Sequence, residues 1–280
     1  MNEQESFCVA VVQMDPQLGE IAANLAAVLE GIEEAARGGA QLVVFPECAL
    51  SGYVYNSAAE VGEAAIDRNH RTVGVIADRC ATLKIHAIVG LLEADRAAGT
   101  LYNSALVIGP SAPPQWYRKC HLPVLGIDRY VGRGAELPVF DLGFARIGVL
   151  ICYDVRFPEA ARSLALRGID LLVVPTNWPA GAESAPEFLT RARAWENRIY
   201  VAACNRVGVE RGTCFIGRSQ IVAPDGTFLA QADGESSTIL YADIDVRQAR
   251  QKKLIFEPGV FELDPVGGRR PDLYGNLVAG

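Results

Sequence analysis

Short apolar, β-branched runs recur along this chain and are separated by longer stretches with helical spacing. That alternation commits the chain to sheets covered by helices rather than to an all-helical or all-β fold. The strand candidates are Phe7 to Gln13, Leu42 to Phe45, His86 to Leu91, Asn103 to Gly109, Ala145 to Ile151, Asp170 to Pro175, Tyr200 to Asn205, Ser219 to Val222 and Ser237 to Ala242. Between the first two, Ile21, Leu25, Val28, Leu29 and Ile32 recur at helical spacing and Gly38-Gly39 closes the run, which predicts an amphipathic helix with a glycine stop. A second helix is predicted over Ala58 to Leu83. A third begins at Pro158, where a missing N–H costs nothing, and runs to Gly168. A fourth starts near Pro186 and puts Phe188, Leu189, Ala192, Trp195 and Ile199 on one face. Pro224-Asp225-Gly226 between two apolar runs reads as a tight turn, so a hairpin-like β region follows.

From Arg247 onward Gly and Pro break the periodicity, yet Leu254, Ile255, Phe256, Val260, Phe261, Leu263, Leu273 and Tyr274 are too apolar for a disordered tail. We expect residues 1–280 to form one domain. Its residues 247–280 are expected to be a C-terminal extension that packs on a neighbouring subunit, in a homodimer or higher homo-oligomer.

Half of the 280 residues are apolar, enough to bury a large core. The net charge of −7 and the scatter of the arginines argue against nucleic acid or an anionic membrane as a partner and favour a small-molecule substrate. No apolar run is long enough to span a bilayer and Met1 to Ser6 is polar, so the expected location is cytoplasmic. The seven cysteines are odd in number and contain no C-x-x-C pair, and the three histidines lack ligand spacing. The expectation is therefore reduced, mostly buried thiols, with no metal and no cofactor.

Three polar residues stand just beyond apolar runs: Glu47 after Leu42-Val43-Val44-Phe45-Pro46, Lys119 after Trp116-Tyr117-Arg118, and Cys152 after Ile147-Gly148-Val149-Leu150-Ile151. In α/β sheets, sites are built at the carboxyl ends of strands. Cys152 would sit where a buried strand turns sharply into a helix, as a nucleophile does in an elbow. An apolar setting disfavours the charge on Glu47, which suits a general base working near neutrality. The Lys119 ammonium can activate a thiolate or donate to an oxyanion. Taken singly, each residue has a plainer reading: a core cysteine at a strand end, a solvated loop acid and a surface lysine.

Taken together, Glu, Lys and Cys in this order and with these neighbours resemble the nitrilase superfamily of carbon-nitrogen hydrolases. The resemblance runs from the Ala-x-x-Gln pattern of Ala10-Val11-Val12-Gln13 to Arg269-Arg270-Pro271-Asp272-Leu273-Tyr274. It implies a four-layer αββα sandwich with Glu47 as general base, Cys152 as nucleophile and Lys119 as stabiliser of the tetrahedral oxyanion. The backbone N–H of Tyr153 would complete the oxyanion hole, ammonia would leave, and water activated by Glu47 would release the acid from a thioester. A second glutamate often assists in this family. The matching stretch here, Leu125-Gly126-Ile127-Asp128-Arg129-Tyr130, offers Asp128, one methylene shorter, with Glu136 the other acid in range.

The resemblance also bears on the reaction. Family nitrilases tend to follow the cysteine with Trp-Glu, whereas Tyr153-Asp154 followed by Arg156-Phe157-Pro158-Glu159 looks more like the amidase branches, including the omega-amidase group. The expected activity is hydrolysis of a small linear amide, with N-carbamoyl or nitrile hydrolysis as alternatives on the same fold and a non-catalytic binding protein as the reading from another class. Arg156 could fork onto a substrate carboxylate or pair with an acid such as Glu159. Asn177 and Trp178, after the strand that ends near Val174, and Tyr53 on the opposite wall are candidates for substrate contact. Glu196 and Arg198 are expected to pin a helix or a subunit contact. His121, two residues past Lys119, reads as a hydrogen-bonding loop residue rather than half of a Cys-His dyad.

Overall fold

The computed structural model describes residues 5–277; Met1 to Gln4, which carry most of the polar start, and residues 278–280 at the end of the expected extension lie outside the described residues. In chain order, the first half contributes β1 (Ser6–Gln13), α1 (Ile21–Arg37), β2 (Leu42–Val44), α2 (Ala58–Ala64), α3 (Arg71–Leu83), β3 (His86–Asp95), β4 (Thr100–Ile108) and β5 (Gln115–Arg118). The second half contributes β6 (Val139–Asp141), β7 (Arg146–Val149), α4 (Pro158–Leu166), β8 (Leu171–Pro175), α5 (Thr190–Asn197), β9 (Tyr200–Cys204), β10 (Val209–Glu210) and β11 (Thr213–Cys214). It continues through β12 (Gln220–Val222), β13 (Phe228–Gln231), β14 (Thr238–Asp245), α6 (Val246–Arg250), β15 (Leu254–Glu257) and β16 (Phe261–Leu263).

Two six-stranded sheets result, in the orders β14-β1-β2-β3-β4-β5 and β13-β12-β9-β8-β7-β6. Each has a parallel centre, β1-β2-β3 in one and β7-β8-β9 in the other, flanked by antiparallel strands. Side-chain alternation along β1 decides the layering. Val9 and Val11 join one buried cluster with Leu42, Val44, Val149 and Val201, whereas Ala10 and Val12 pack with Val28 and Ile32 of α1 and Ile76 of α3. Each strand of the first sheet thus buries one face against the second sheet and the other against helices, giving the four-layer αββα sandwich. Each buried Val or Ile contributes about 1.5–3 kcal/mol. Where the sheets meet, the Cys204 thiol at the end of β9 donates to the carbonyls of Val12 (3.1 Å) and Val44 (3.3 Å).

Two expectations are corrected. The helix expected over Ala58 to Leu83 is two, because Ile66 leaves the helix to bridge Glu93 on β3, and His70 then caps α3 by accepting the Thr72 N–H. The helix expected from Pro186 opens with a wide turn over Ala185–Leu189, and α5 buries Thr190, Arg193, Ala194 and Asn197 while Phe188 and Trp195 face outward. In the C-terminal segment, where the sequence shows no periodicity, β15 and β16 form a hairpin with Phe256 stacked on Phe261 at 4.5 Å. Its apolar side chains Phe256, Val260, Phe261, Leu273 and Leu277 are exposed. Among the described residues no helix is long and apolar enough to cross a membrane, and no group of His, Cys, Asp and Glu is arranged to hold a metal ion.

Candidate active site

Pro46 ends β2 and turns the chain so that Glu47 lies fully buried beside β3. That approach needs Gly90, since a Cβ there would stand 2.2 Å from the Pro46 carbonyl oxygen and 2.7 Å from the Glu47 Cα. The two carboxylate oxygens of Glu47 have different surroundings. Oε1 accepts from Lys119 Nζ at 2.7 Å and Asn103 Nδ2 at 2.6 Å, whereas Oε2 is buried with no partner. Burial raises the pKa of Glu47; Lys119 opposes the rise and the nearby Asp128 charge adds to it.

Lys119 emerges just past β5, and the alternation of that strand sends its neighbours to opposite sides. Arg118 forks onto the buried Glu93 carboxylate and reaches Asp95, while the Lys119 side chain is wholly buried between Glu47 and Asp128, 2.6 Å from Asp128 Oδ2. Burial works against the ammonium, but the two carboxylates outweigh it and hold the Lys119 pKa well above its usual value. Asp128 sits on a short 3-10 turn, Gly126–Arg129, and also accepts from Tyr53 OH at 2.7 Å and Asn103 Nδ2 at 2.9 Å. Gly126 permits this close packing, because a Cβ there would meet the Tyr53 ring at 2.4 Å. Glu136 lies exposed in its loop, away from this cluster.

Cys152 opens a 3-10 turn with φ = 47°, a left-handed conformation that a non-glycine residue adopts at a cost of about 1–3 kcal/mol and that recurs at functional sites. Its thiol is buried, and the charges of Glu47 and Lys119 both bear on it. Burial, reinforced by Glu47, pushes the thiol up to about 12; Lys119, the Thr176 hydroxyl and the backbone of Asn177 pull the other way. Beside it, both amide atoms of Asn177 and Trp178 Nε1 are buried without partners, an unusual concentration of unsatisfied polar atoms at the end of one strand. Trp178 is fixed through its backbone N–H, which donates to Asn205 Oδ1 at 2.8 Å.

The remaining residues singled out in the sequence have these places. Tyr153 is half-buried with its ring edge-on to Phe157. Arg156 is exposed, and among the described residues its guanidinium makes no ion pair with Glu159 or any other acid. His121 is tied to Asp154 and stacked on Phe157 at 3.9 Å. Glu196 pairs with Arg193 at 3.0 Å on α5, and Arg198 donates at 2.6 Å to the Pro224 carbonyl in the turn between β12 and β13. Sequence reasoning missed Asn103, which bridges both carboxylates, and Gly90. The signals were an amide inside an apolar strand and a glycine inside another.

A buried carboxylate, an ammonium and an elbow thiol facing one another at the carboxyl ends of strands in an αββα sandwich define a thiol hydrolase of the nitrilase type. The profile of the carbon-nitrogen hydrolase family matches residues 8–253. A nitrilase of Pyrococcus abyssi is 38% identical over 251 residues, covering 88% of this chain and 92% of that protein. The omega-amidase NIT2 of Homo sapiens is 32% identical over 281 residues, covering 95% and 99%. Among solved structures, a mutant of the amidase from Nesterenkonia sp. AN1, with the acetamide moiety of fluoroacetamide added covalently at its active-site cysteine, superposes with a TM-score of 0.80 at 26% identity, covering 98% of this chain and 97% of that one. This chain belongs to the carbon-nitrogen hydrolase family and is a thiol-dependent hydrolase of carbon-nitrogen bonds.

Proposed function

We propose that the chain hydrolyses small linear amides, of omega-amidase or aliphatic amidase type, to a carboxylic acid and ammonia through a thioester on Cys152. Glu47 Oε2 takes the thiol proton as sulfur attacks the carbonyl carbon, and the Lys119 ammonium with the Tyr153 N–H stabilises the oxyanion. The C–N bond breaks as Glu47 returns that proton to the leaving nitrogen. Glu47 then deprotonates water, which attacks the thioester and frees the acid and the thiol. Asp128 holds the lysine charge, in the place where the family often has a glutamate. Tyr53, Asn177 and Trp178 bound the substrate, and Arg156 at the rim can meet a substrate carboxylate.

The observation that carries this reading is the split of the Glu47 carboxylate: one oxygen is committed to Lys119 and Asn103, the other is bare and buried in the enclosure that holds the thiol. Intact-mass analysis after incubation with an amide library tests it, with an acyl adduct expected on the wild type and none on Cys152→Ala. Undiminished ammonia release by Cys152→Ala would refute it. A panel of amide, N-carbamoyl and nitrile forms of one scaffold assigns the reaction, with the amide expected to turn over fastest. The seven free thiols fit a reducing cytoplasm. The exposed apolar side chains of the 254–277 segment, with Phe188 and Trp195, support a homo-oligomer in which the C-terminal extension packs on a neighbouring subunit. Light scattering should give a dimer or larger.

A further inference from the structure

The Asp154 carboxylate is buried two residues past the thiol and makes no contact of its own with the Glu47-Lys119-Asp128 cluster. It accepts four hydrogen bonds. Oδ2 takes the Ile151 N–H at 2.9 Å and the Tyr117 hydroxyl at 2.7 Å; Oδ1 takes the His121 N–H at 2.8 Å and faces His121 Nδ1 at 2.7 Å, which fixes the proton on that nitrogen. The donors come from both sheets of the sandwich. Ile151 is the residue before the nucleophile, and Tyr117 and His121 flank Lys119 two residues to either side. One carboxylate thus grips the lysine segment on both sides of the ammonium-bearing residue and the backbone that presents the sulfur. His121 is backed in turn by its stack on Phe157, the residue that ends the elbow turn.

We infer that Asp154 is a positioning residue that sets the separation between the Lys119 ammonium and the Cys152 sulfur. The argument is geometric. Lys119 stands on the first sheet and Cys152 on the second, and apolar packing between the sheets fixes layer spacing more than lateral register, with the Cys204 thiol bonds lying under β1, β2 and β9 rather than at Lys119. Four directional bonds converging on two oxygens supply that register. The inference rests on the roles proposed above for Cys152 and Lys119 and goes beyond them, since Asp154 acts only through those residues.

The test uses Asp154→Asn, which keeps the volume but lets only one of the two positions accept, so either the Ile151 and Tyr117 donors on Oδ2 or the two His121 donors on Oδ1 lose their acceptor. Tyr117→Phe removes a single donor and keeps the ring. For both, kcat and KM on a small amide are measured on active-site-titrated enzyme, together with the melting temperature and the pH dependence of Cys152 alkylation by iodoacetamide read by peptide mass spectrometry. A loss of about 1 Å in register predicts a fall in kcat of about 100-fold for Asp154→Asn with little change in KM, and about 10-fold for Tyr117→Phe. In both, the alkylation profile moves to higher pH, because the lysine charge that lowers the thiol pKa recedes. A lowered melting temperature with kcat within about twofold and an unmoved alkylation profile would overturn the inference by showing a merely structural buttress. Tyr117→Phe decides alone if Asp154→Asn does not fold. Undiminished ammonia release by Cys152→Ala would instead sink the site reading on which the tether depends.

Discussion

Gly90 touches no substrate and carries no chemistry, yet adding one methyl group there should disable the enzyme. The Cβ of Gly90→Ala would stand 2.2 Å from the Pro46 carbonyl oxygen, 2.5 Å from the Cys48 nitrogen and 2.7 Å from the Glu47 Cα, where ordinary contact begins at 3.4 Å. All three are backbone atoms, so no rotamer change relieves the overlap. The turn that carries Glu47 must retreat from β3 by up to 3.4 − 2.2 = 1.2 Å. A displacement near 1 Å of a catalytic group costs about a hundredfold in rate, and overpacking of this kind costs about 1–3 kcal/mol of stability. The melting temperature should therefore fall by several degrees and kcat for ammonia release by about two orders of magnitude. Gly74→Ala is the control. It lies in α3 with nothing within 4 Å of the new Cβ, and should raise stability by about 0.4–1 kcal/mol with kcat unchanged. If Gly90→Ala melts with the wild type and retains kcat within about threefold, the claim that β3 sets the position of Glu47 is wrong.

Other outcomes follow from the charges. Because burial raises the Glu47 pKa, the ionised base is lost on acidification at a pH above the ordinary carboxylate value of about 4.3; the acid limb of kcat/KM should lie above that value and vanish in the residual activity of Glu47→Gln. Asp128→Asn leaves Lys119 with Glu47 as its one carboxylate, so kcat should drop about 10- to 100-fold, read in the same ammonia assay. Glu93 has a folded-state pKa held below its usual value because its bonds to Arg118, Ser104 and Arg68 outweigh desolvation. Its stabilising contribution is thus full above about pH 4.3 and is lost as pH falls through the lowered value. Arg118→Met removes its two bonds to that carboxylate but leaves Arg68 and Ser104 in place, and should cost about 1.5–3 kcal/mol in urea titrations at neutral pH, with the acid dependence of stability weakened.

The strands were legible because burial on both faces leaves continuous apolar runs; Glu47, Lys119 and Cys152, each ordinary alone just past such a run, were legible only as a set in this order with these neighbours. Asn103 hid because the strand expected over Asn103 to Gly109 began there, so the amide looked like a boundary, whereas β4 begins at Thr100 and carries Asn103 inside it. Gly90 hid because close approach of a backbone leaves no mark except a missing side chain. The break at Ile66 was invisible to periodicity, since its cause is a bridge to β3 that only the folded chain makes. Likewise Phe188 and Trp195 have the spacing of a buried face, and the helix instead buries Arg193, whose Nε donates to the Val155 carbonyl at 2.9 Å to brace the elbow. A polar group with a specific backbone acceptor displaced two aromatics from the core, a choice that hydrophobic pattern alone does not encode.

Under the proposed roles, the charge balance of the buried cluster is the reason Glu47 as base, and not the lysine alone, must activate the sulfur. Burial first, and then the Glu47 charge, push the Cys152 thiol up to about 12, and with two carboxylates already sharing one ammonium a thiolate would be a third negative group beside it. The resting nucleophile is therefore the neutral thiol, and its proton must move to an acceptor as the carbon-sulfur bond forms. Among the buried carboxylate oxygens of Glu47, Asp128 and Asp154, Glu47 Oε2 is the one without a hydrogen-bond partner. Negative charge then passes from the base to the carbonyl oxygen without any rise in the net charge of the enclosure, and Lys119, still held by Asp128, is left to meet it.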